Sequence, residues 1–101
     1  MIYNKLVRDK IPRIIKENGK NPVTHIANDE EYKRKLKEKL KEEVDEFLEN
    51  NDVNEMIDIF EVMMAINGLN GWDFQKILDQ REQKRQERGA FDKKIILERV
   101  D

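Results

Sequence analysis

Two short acidic patterns carry the chemistry that this sequence could do: Glu42-Glu43-x-x-Glu46 and Glu55-x-x-Asp58. They stand on either side of Asn50-Asn51-Asp52, a strong turn signal. They lie within residues 42–75, which hold ten carboxylates and no Lys or Arg. Carboxylates one helical turn apart share a face. Two such faces brought together would concentrate negative charge, and that charge needs a partner. Burying an unpaired charge costs several kcal/mol, and neighbouring carboxylates raise one another's pKa. Two partners would serve: Lys or Arg from another segment, or a hard divalent cation held by oxygen ligands. Zinc is a poor fit, because the chain has no Cys and one His, His25, which reads as a strand or surface residue.

These residues need elements to position them, and the periodicity predicts four helices. Asp9 is a candidate N-cap and Pro12 suits the first turn of a short helix to about Glu17, ended by Asn18-Gly19. The second starts near Asn28 or Asp29 and runs to about Glu49. Its apolar stripe is Leu36, Leu40, Val44, Phe47 and Leu48. At about 100° per residue, Glu43 falls on the edge of that stripe and Glu46 on its rim, while Glu42, Asp45 and Glu49 point away. The third helix, about Val53 to Leu69, is apolar nearly all round, which predicts burial on most sides, with Glu55 and Asp58 inside. Counted from Asn51, Glu46 levels with Glu55 and Glu43 with Asp58, so an antiparallel hairpin should gather the four into one patch. The fourth helix runs from about Asp73 to Arg88. Its Ile77 and Leu78 row continues as Arg81, Lys84, Arg85 and Arg88, a face expected to look inward and to receive phosphate, as Lys5 and Arg8 could. Residues 23–27 are β-prone and could pair with 95–100. The fold class is therefore all-α, a four-helix-bundle-like arrangement with antiparallel central helices and at most this minor β-pair.

Composition bounds the remaining readings. A chain of 101 residues predicts one domain, 1–101. Charged residues make up 42%, yet net charge is only −2, and the distribution is uneven: +6 over 1–41, −10 over 42–75 and +2 over 76–101. Folding, ions or a partner must neutralise that segregation. The absence of cysteine, of a signal-peptide pattern and of a spanning apolar run predicts a cytoplasmic protein without membrane attachment. Few aromatics, placed on apolar faces, argue against nucleic-acid binding. P-loop and Nudix-type readings lack their glycine-containing motifs. A third helix apolar on all sides predicts a homodimer or higher oligomer that buries part of Met56 to Leu69.

The paired acidic motifs resemble the signature of the MazG-like all-α nucleoside triphosphate pyrophosphohydrolases, a superfamily that includes dimeric dUTPases and phosphoribosyl-ATP pyrophosphohydrolases. The opening Tyr3-Asn4-Lys5-Leu6-Val7-Arg8-Asp9-Lys10-Ile11-Pro12 and the closing Lys84-x-x-x-Arg88-Gly89-x-Phe91 are similar to the small, single-domain house-cleaning branch. Glu46 and Glu55 are separated by eight residues, fewer than in many relatives, which bears on substrate range. The resemblance implies Mg²⁺ (or Mn²⁺) held by Glu43, Glu46, Glu55 and Asp58. It implies triphosphate contacts from Lys84 and Arg88, with Arg81, Lys5 and Arg8 as further candidates. The implied reaction is hydrolysis of an NTP or dNTP between the α- and β-phosphates to NMP and pyrophosphate, with Glu46 or Glu42 as general base. Phosphoribosyl-ATP hydrolysis is the alternative within the enzyme class. Outside that class stands a non-enzymatic helical adaptor or regulatory module whose acids are ion-paired.

Overall fold

A computed structural model describes residues 2–101. It contains four helices: α1 (Ile11–Glu17), α2 (Asp29–Asn50), α3 (Val53–Asn70) and α4 (Phe74–Arg88). The all-α class stands, and among the described residues there is no strand. The expected β-pair of 23–27 with 95–100 is not formed. Val23, Ile26, Ile95, Ile96 and Leu97 are all exposed, so neither segment has an apolar layer to lie on. A lone pair of strands is marginal without one. The chain divides into two compact units, Met1–Asn70 and Gly71–Asp101.

In the first unit, each helix boundary has a local cause. Pro12 occupies the first turn of α1, but the N-cap is Lys10, without a side-chain bond, and not Asp9. The turn is closed instead by the backbone, Ile11 N–H to the Arg8 carbonyl at 3.0 Å. Gly19 at φ +80° ends α1, and the Lys20 N–H reaches the Ile15 carbonyl at 3.1 Å. That is the left-handed cap for which a residue without Cβ is suited. The α2 N-terminus is capped by Asn28, whose Oδ1 accepts from the Glu31 N–H at 2.9 Å. Asp29, Glu30 and Glu31 place negative charge on the positive end of the helix dipole.

Asn51 adopts φ +51° and donates its N–H to the Phe47 carbonyl at 2.7 Å, closing α2 in the left-handed region that Asn tolerates. Asp52 opens α3, its Oδ1 accepting from the Asn54 N–H at 2.9 Å. Two connecting residues force α2 and α3 antiparallel, and this pair forms the principal packing of the unit. Leu36 of α2 and Val62 of α3 are its buried apolar residues. Leu40, Val44 and Phe47 are half-buried beside them, whereas Leu48, at the end of the expected stripe, is exposed.

The third helix is not buried on most sides. Val53, Met56, Ile57, Phe60 and Met63 are exposed, and Val62 alone in α3 is buried. One neighbouring long helix covers one face, and the opposite face keeps its apolar side chains at the surface.

In the second unit, Asp73 caps α4 by accepting from the N–H groups of Gln75 and Lys76 at 3.0 and 3.3 Å. Gly89 at φ +84° ends the helix, its N–H reaching the Arg85 carbonyl at 2.8 Å. α4 has no buried residue. The expectation that its basic row looks inward is corrected: every side chain from Arg81 to Arg88 is exposed. Four guanidinium and ammonium groups are too costly to desolvate without paired anions, so hydration sets this face outward.

Candidate functional site

Glu43 is the residue on which the site is built. It is 5% exposed, the buried charged residue of the first unit, and it sits on the α2 face that also carries Leu36. The local cause is its place at the edge of the apolar stripe, where packing against α3 removes water. Its Oε1 is 3.1 Å from the Lys39 ammonium, one turn earlier on the same helix. Its Oε2 is buried and has no hydrogen-bond partner. A carboxylate oxygen in that state is rare in folded proteins and calls for an explanation.

Glu46, one turn on, is exposed. The negative charge of Glu43 raises its pKa above the ordinary carboxylate value. Partial desolvation, the charge of Glu42 and a side-chain hydrogen bond to Glu43, which Glu46 can donate only when protonated, add to the effect, with Lys39 opposing. Glu42 is half-buried and held by two cations, Lys5 at 3.3 Å and Lys39 at 3.6 Å. Asp45 and Glu49 are exposed, as expected of side chains off the stripe.

Across the turn, Glu55 is half-buried. Its Oε1 accepts from the Asn50 side-chain amide at 3.0 Å, and its Oε2 is a second buried oxygen without a partner. Asp58 is less enclosed than its wheel position implied. Its Oδ1 accepts from Arg8 Nη2 at 2.7 Å in an ion pair whose side chains are 53% and 41% exposed.

The structure therefore brings Glu42, Glu43 and Glu46 together on α2, and seats Lys5 on Glu42 and Arg8 on Asp58. Among the described residues no three His, Asp or Glu side chains converge closely enough to hold a metal ion as they stand. The expected single patch of four carboxylates is corrected on that point: Glu55 is engaged by Asn50, and Asp58 by Arg8. The donor chemistry nonetheless fits a hard divalent cation. All four candidate ligands are carboxylates, and the two deepest, Glu43 and Glu55, each keep one oxygen unsatisfied. Where that cation's charge would be needed, protein cations supply part of it.

Arg81, Lys84, Arg85 and Arg88 lie on exposed α4, with Arg85 3.9 Å from Glu82. His25 is an exposed surface residue, its Nε2 2.9 Å from Glu31. Two participants escaped the sequence reading. Lys39 was findable, because it stands three and four residues before Glu42 and Glu43, the spacing of helical ion pairs. Asn50 carried no signal beyond its place in the turn. Among the described residues no helix is long and apolar enough to cross a membrane.

No family model matches the chain. A protein of Mycolicibacterium smegmatis, described only as an uncharacterized protein, is 48% identical over 42 residues. The match covers 42% of this chain and 43% of that one, so the chain spans less than half the length of the relative it matches. No solved structure matches.

Proposed function

We propose that the chain is a divalent-metal-dependent nucleoside triphosphate pyrophosphohydrolase of the MazG-like kind, adding water across the α–β anhydride of an NTP or dNTP to give NMP and pyrophosphate. The observation that carries this reading is Glu43: a carboxylate 5% exposed, with one oxygen unsatisfied, beside a second carboxylate whose ionisation it opposes. Such an arrangement is costly for a purely structural surface, whereas a site that gains a cation gives that cost a use. Glu43, Glu46, Glu55 and Asp58 are the proposed holders of Mg²⁺ or Mn²⁺. A bound ion of this type lowers the pKa of water and neutralises charge on phosphoryl oxygens. Between the two candidate bases Glu46 is favoured, because both oxygens of Glu42 are engaged by Lys5 and Lys39.

Triphosphate contacts are assigned to Lys84 and Arg88, with Arg81, whose exposed charges are open to an anion. A nucleotide substrate places the protein in the cytoplasm, in keeping with a cysteine-free sequence. The charge-free face of α3, with Val53, Met56, Ile57 and Met63 exposed, is assigned to a second copy of the chain.

A second reading has its own observation. The ion pairs Arg8–Asp58 at 2.7 Å and Lys39–Glu43 at 3.1 Å are what a non-enzymatic module with an internally neutralised acidic face would show. One experiment separates the two. Purified protein is incubated with Mg²⁺ and a panel of canonical and modified nucleoside triphosphates, and pyrophosphate release is followed. Release from at least one member is expected. Folded protein that releases none from any member leaves the ion-paired module as the better account.

A further inference from the structure

The segment ahead of α1 lies over the acidic hairpin and is fastened at two points. The Lys35 ammonium donates to the Asn4 carbonyl at 2.7 Å, and the Lys5 ammonium meets Glu42 at 3.3 Å. Asn4 takes φ +46°, in the left-handed region that Asn tolerates. Lys5 is held on one side by Glu42 at 3.3 Å, with the Tyr3 ring centroid 5.7 Å from its ammonium. The backbone is therefore anchored while the Arg8 side chain reaches out to Asp58, fifty residues away in sequence. That pair is about half exposed, so solvent can compete for either partner.

We propose that Arg8 is an exchangeable counter-ion: it holds Asp58 in place of a divalent cation, and when the cation binds, the guanidinium is released beside it to receive an anion. This rests on the metal-dependent reading above and deepens it. Asp58 cannot give its full charge to both a bidentate-capable guanidinium and a metal ion, so the two compete. Once displaced, Arg8 stays near because the Lys35–Asn4 and Lys5–Glu42 contacts remain. Its planar donors then match a phosphate or pyrophosphate group. The exchange gives an order to binding: cation before anion. It also keeps a basic side chain from holding an anion tightly before the cation is present, since Asp58 occupies it.

The consequence is a pair of effects of opposite sign, which a merely structural arginine would not produce. Mn²⁺ is titrated into the purified full chain by calorimetry, and inorganic pyrophosphate is then titrated into the Mn²⁺-loaded protein, for wild type, Arg8→Gln and Arg8→Lys. Removal of a half-exposed ion pair should tighten Mn²⁺ binding by about two- to fivefold in Arg8→Gln. Pyrophosphate binding should weaken by about tenfold in the same variant, on loss of a charge-assisted contact. Arg8→Lys should keep Mn²⁺ binding near wild type and lose part of the pyrophosphate effect. Asp58→Asn reports from the other side: Mn²⁺ binding weakens, and pyrophosphate binding to the metal-free protein strengthens because the guanidinium is already free. Mn²⁺ binding that is unchanged or weakened in Arg8→Gln overturns the exchange while leaving the metal site standing. Mn²⁺ binding absent from wild type and variant alike overturns the exchange and the metal-dependent reading together.

Discussion

Replacing Glu43 by Gln separates a metal-binding carboxylate from a structural one, because the two roles predict opposite responses to metal. The substitution keeps the side chain's volume and its ability to hydrogen-bond but removes the charge. In metal-free protein the variant loses the 3.1 Å pair with Lys39, yet Lys39 keeps Glu42 at 3.6 Å and is not left unpaired. Loss of one such hydrogen-bonded pair costs about 1 kcal/mol, while relief of a buried, half-satisfied charge returns an amount of the same order or more. The net change without metal is therefore within about 1 kcal/mol of zero, or stabilising. The response to metal is different. A site at ten times its Kd stabilises the native state by about 1.4 kcal/mol, which for a domain of about 100 residues raises Tm by roughly 6–11 °C. Melting is followed by circular dichroism at 222 nm in chelator and in rising Mg²⁺, with matched ionic strength set by monovalent salt. Wild type should climb by that amount and Glu43→Gln should not climb. Equal metal responses in the two proteins would refute the ligand assignment. A large loss of stability in metal-free Glu43→Gln, with no metal response in wild type, would make Glu43 a structural ion-pair partner.

Two further outcomes follow from the same geometry. Glu46 titrates above the ordinary carboxylate value of 4.5 because Glu43 repels its charge. The folded state thus binds its proton more tightly than the unfolded state, and stability falls as pH rises through the interval from 4.5 to the folded pKa. In chelator, Glu46→Gln should be the more stable protein at pH 7, and the gap in urea midpoint should close at pH 4; a gap that persists or widens at pH 4 contradicts the assigned repulsion. On α3, Met56→Glu places a carboxylate on the exposed apolar face, and across a two-fold contact the charge meets that face or its own copy. Sedimentation at micromolar concentration should give a dimeric mass for wild type and a monomeric one for the variant; a monomeric wild type removes the assignment of that face to a second copy.

Much of the helical frame was legible because its punctuation is local. Pro12, Gly19, Asn28, Asp73 and Gly89 each act within a turn of their own position, and each falls at a helix end. The burial of Glu43 was legible as well, since its angle to Leu36 on one helix fixes which side of α2 it takes. What the sequence concealed depends on partners remote in the chain. Nothing near Arg8 points to Asp58, and the pair decides whether Asp58 is free. The basic row of α4 misled for a physical reason: continuing an apolar row gives a side chain its direction but not its burial, and a charged head group follows water wherever its stem allows. The β-prone segments misled in a similar way. Propensity for extended structure is a preference for packing on a half-buried surface, and neither segment has such a surface.

The two faces of α3 carry separate claims. At about 100° per residue, the exposed arc through Val53, Met56, Ile57, Phe60 and Met63 is centred roughly 140–160° from Glu55 and Asp58. A second copy seated on that arc therefore lies on the far side of α3 from the carboxylates. Dimerisation would then stabilise the helix that presents Glu55 and Asp58 without supplying a ligand to them. Substitutions on the two faces share no contact through α2 and should add. A metal response lost in Met56→Glu, whose substitution touches none of the carboxylates, would instead mean that the carboxylates assemble only in the dimer. That result would relocate the site from the hairpin to the interface, and it would account for why, among the described residues, no three such side chains are placed to hold a metal ion within one chain.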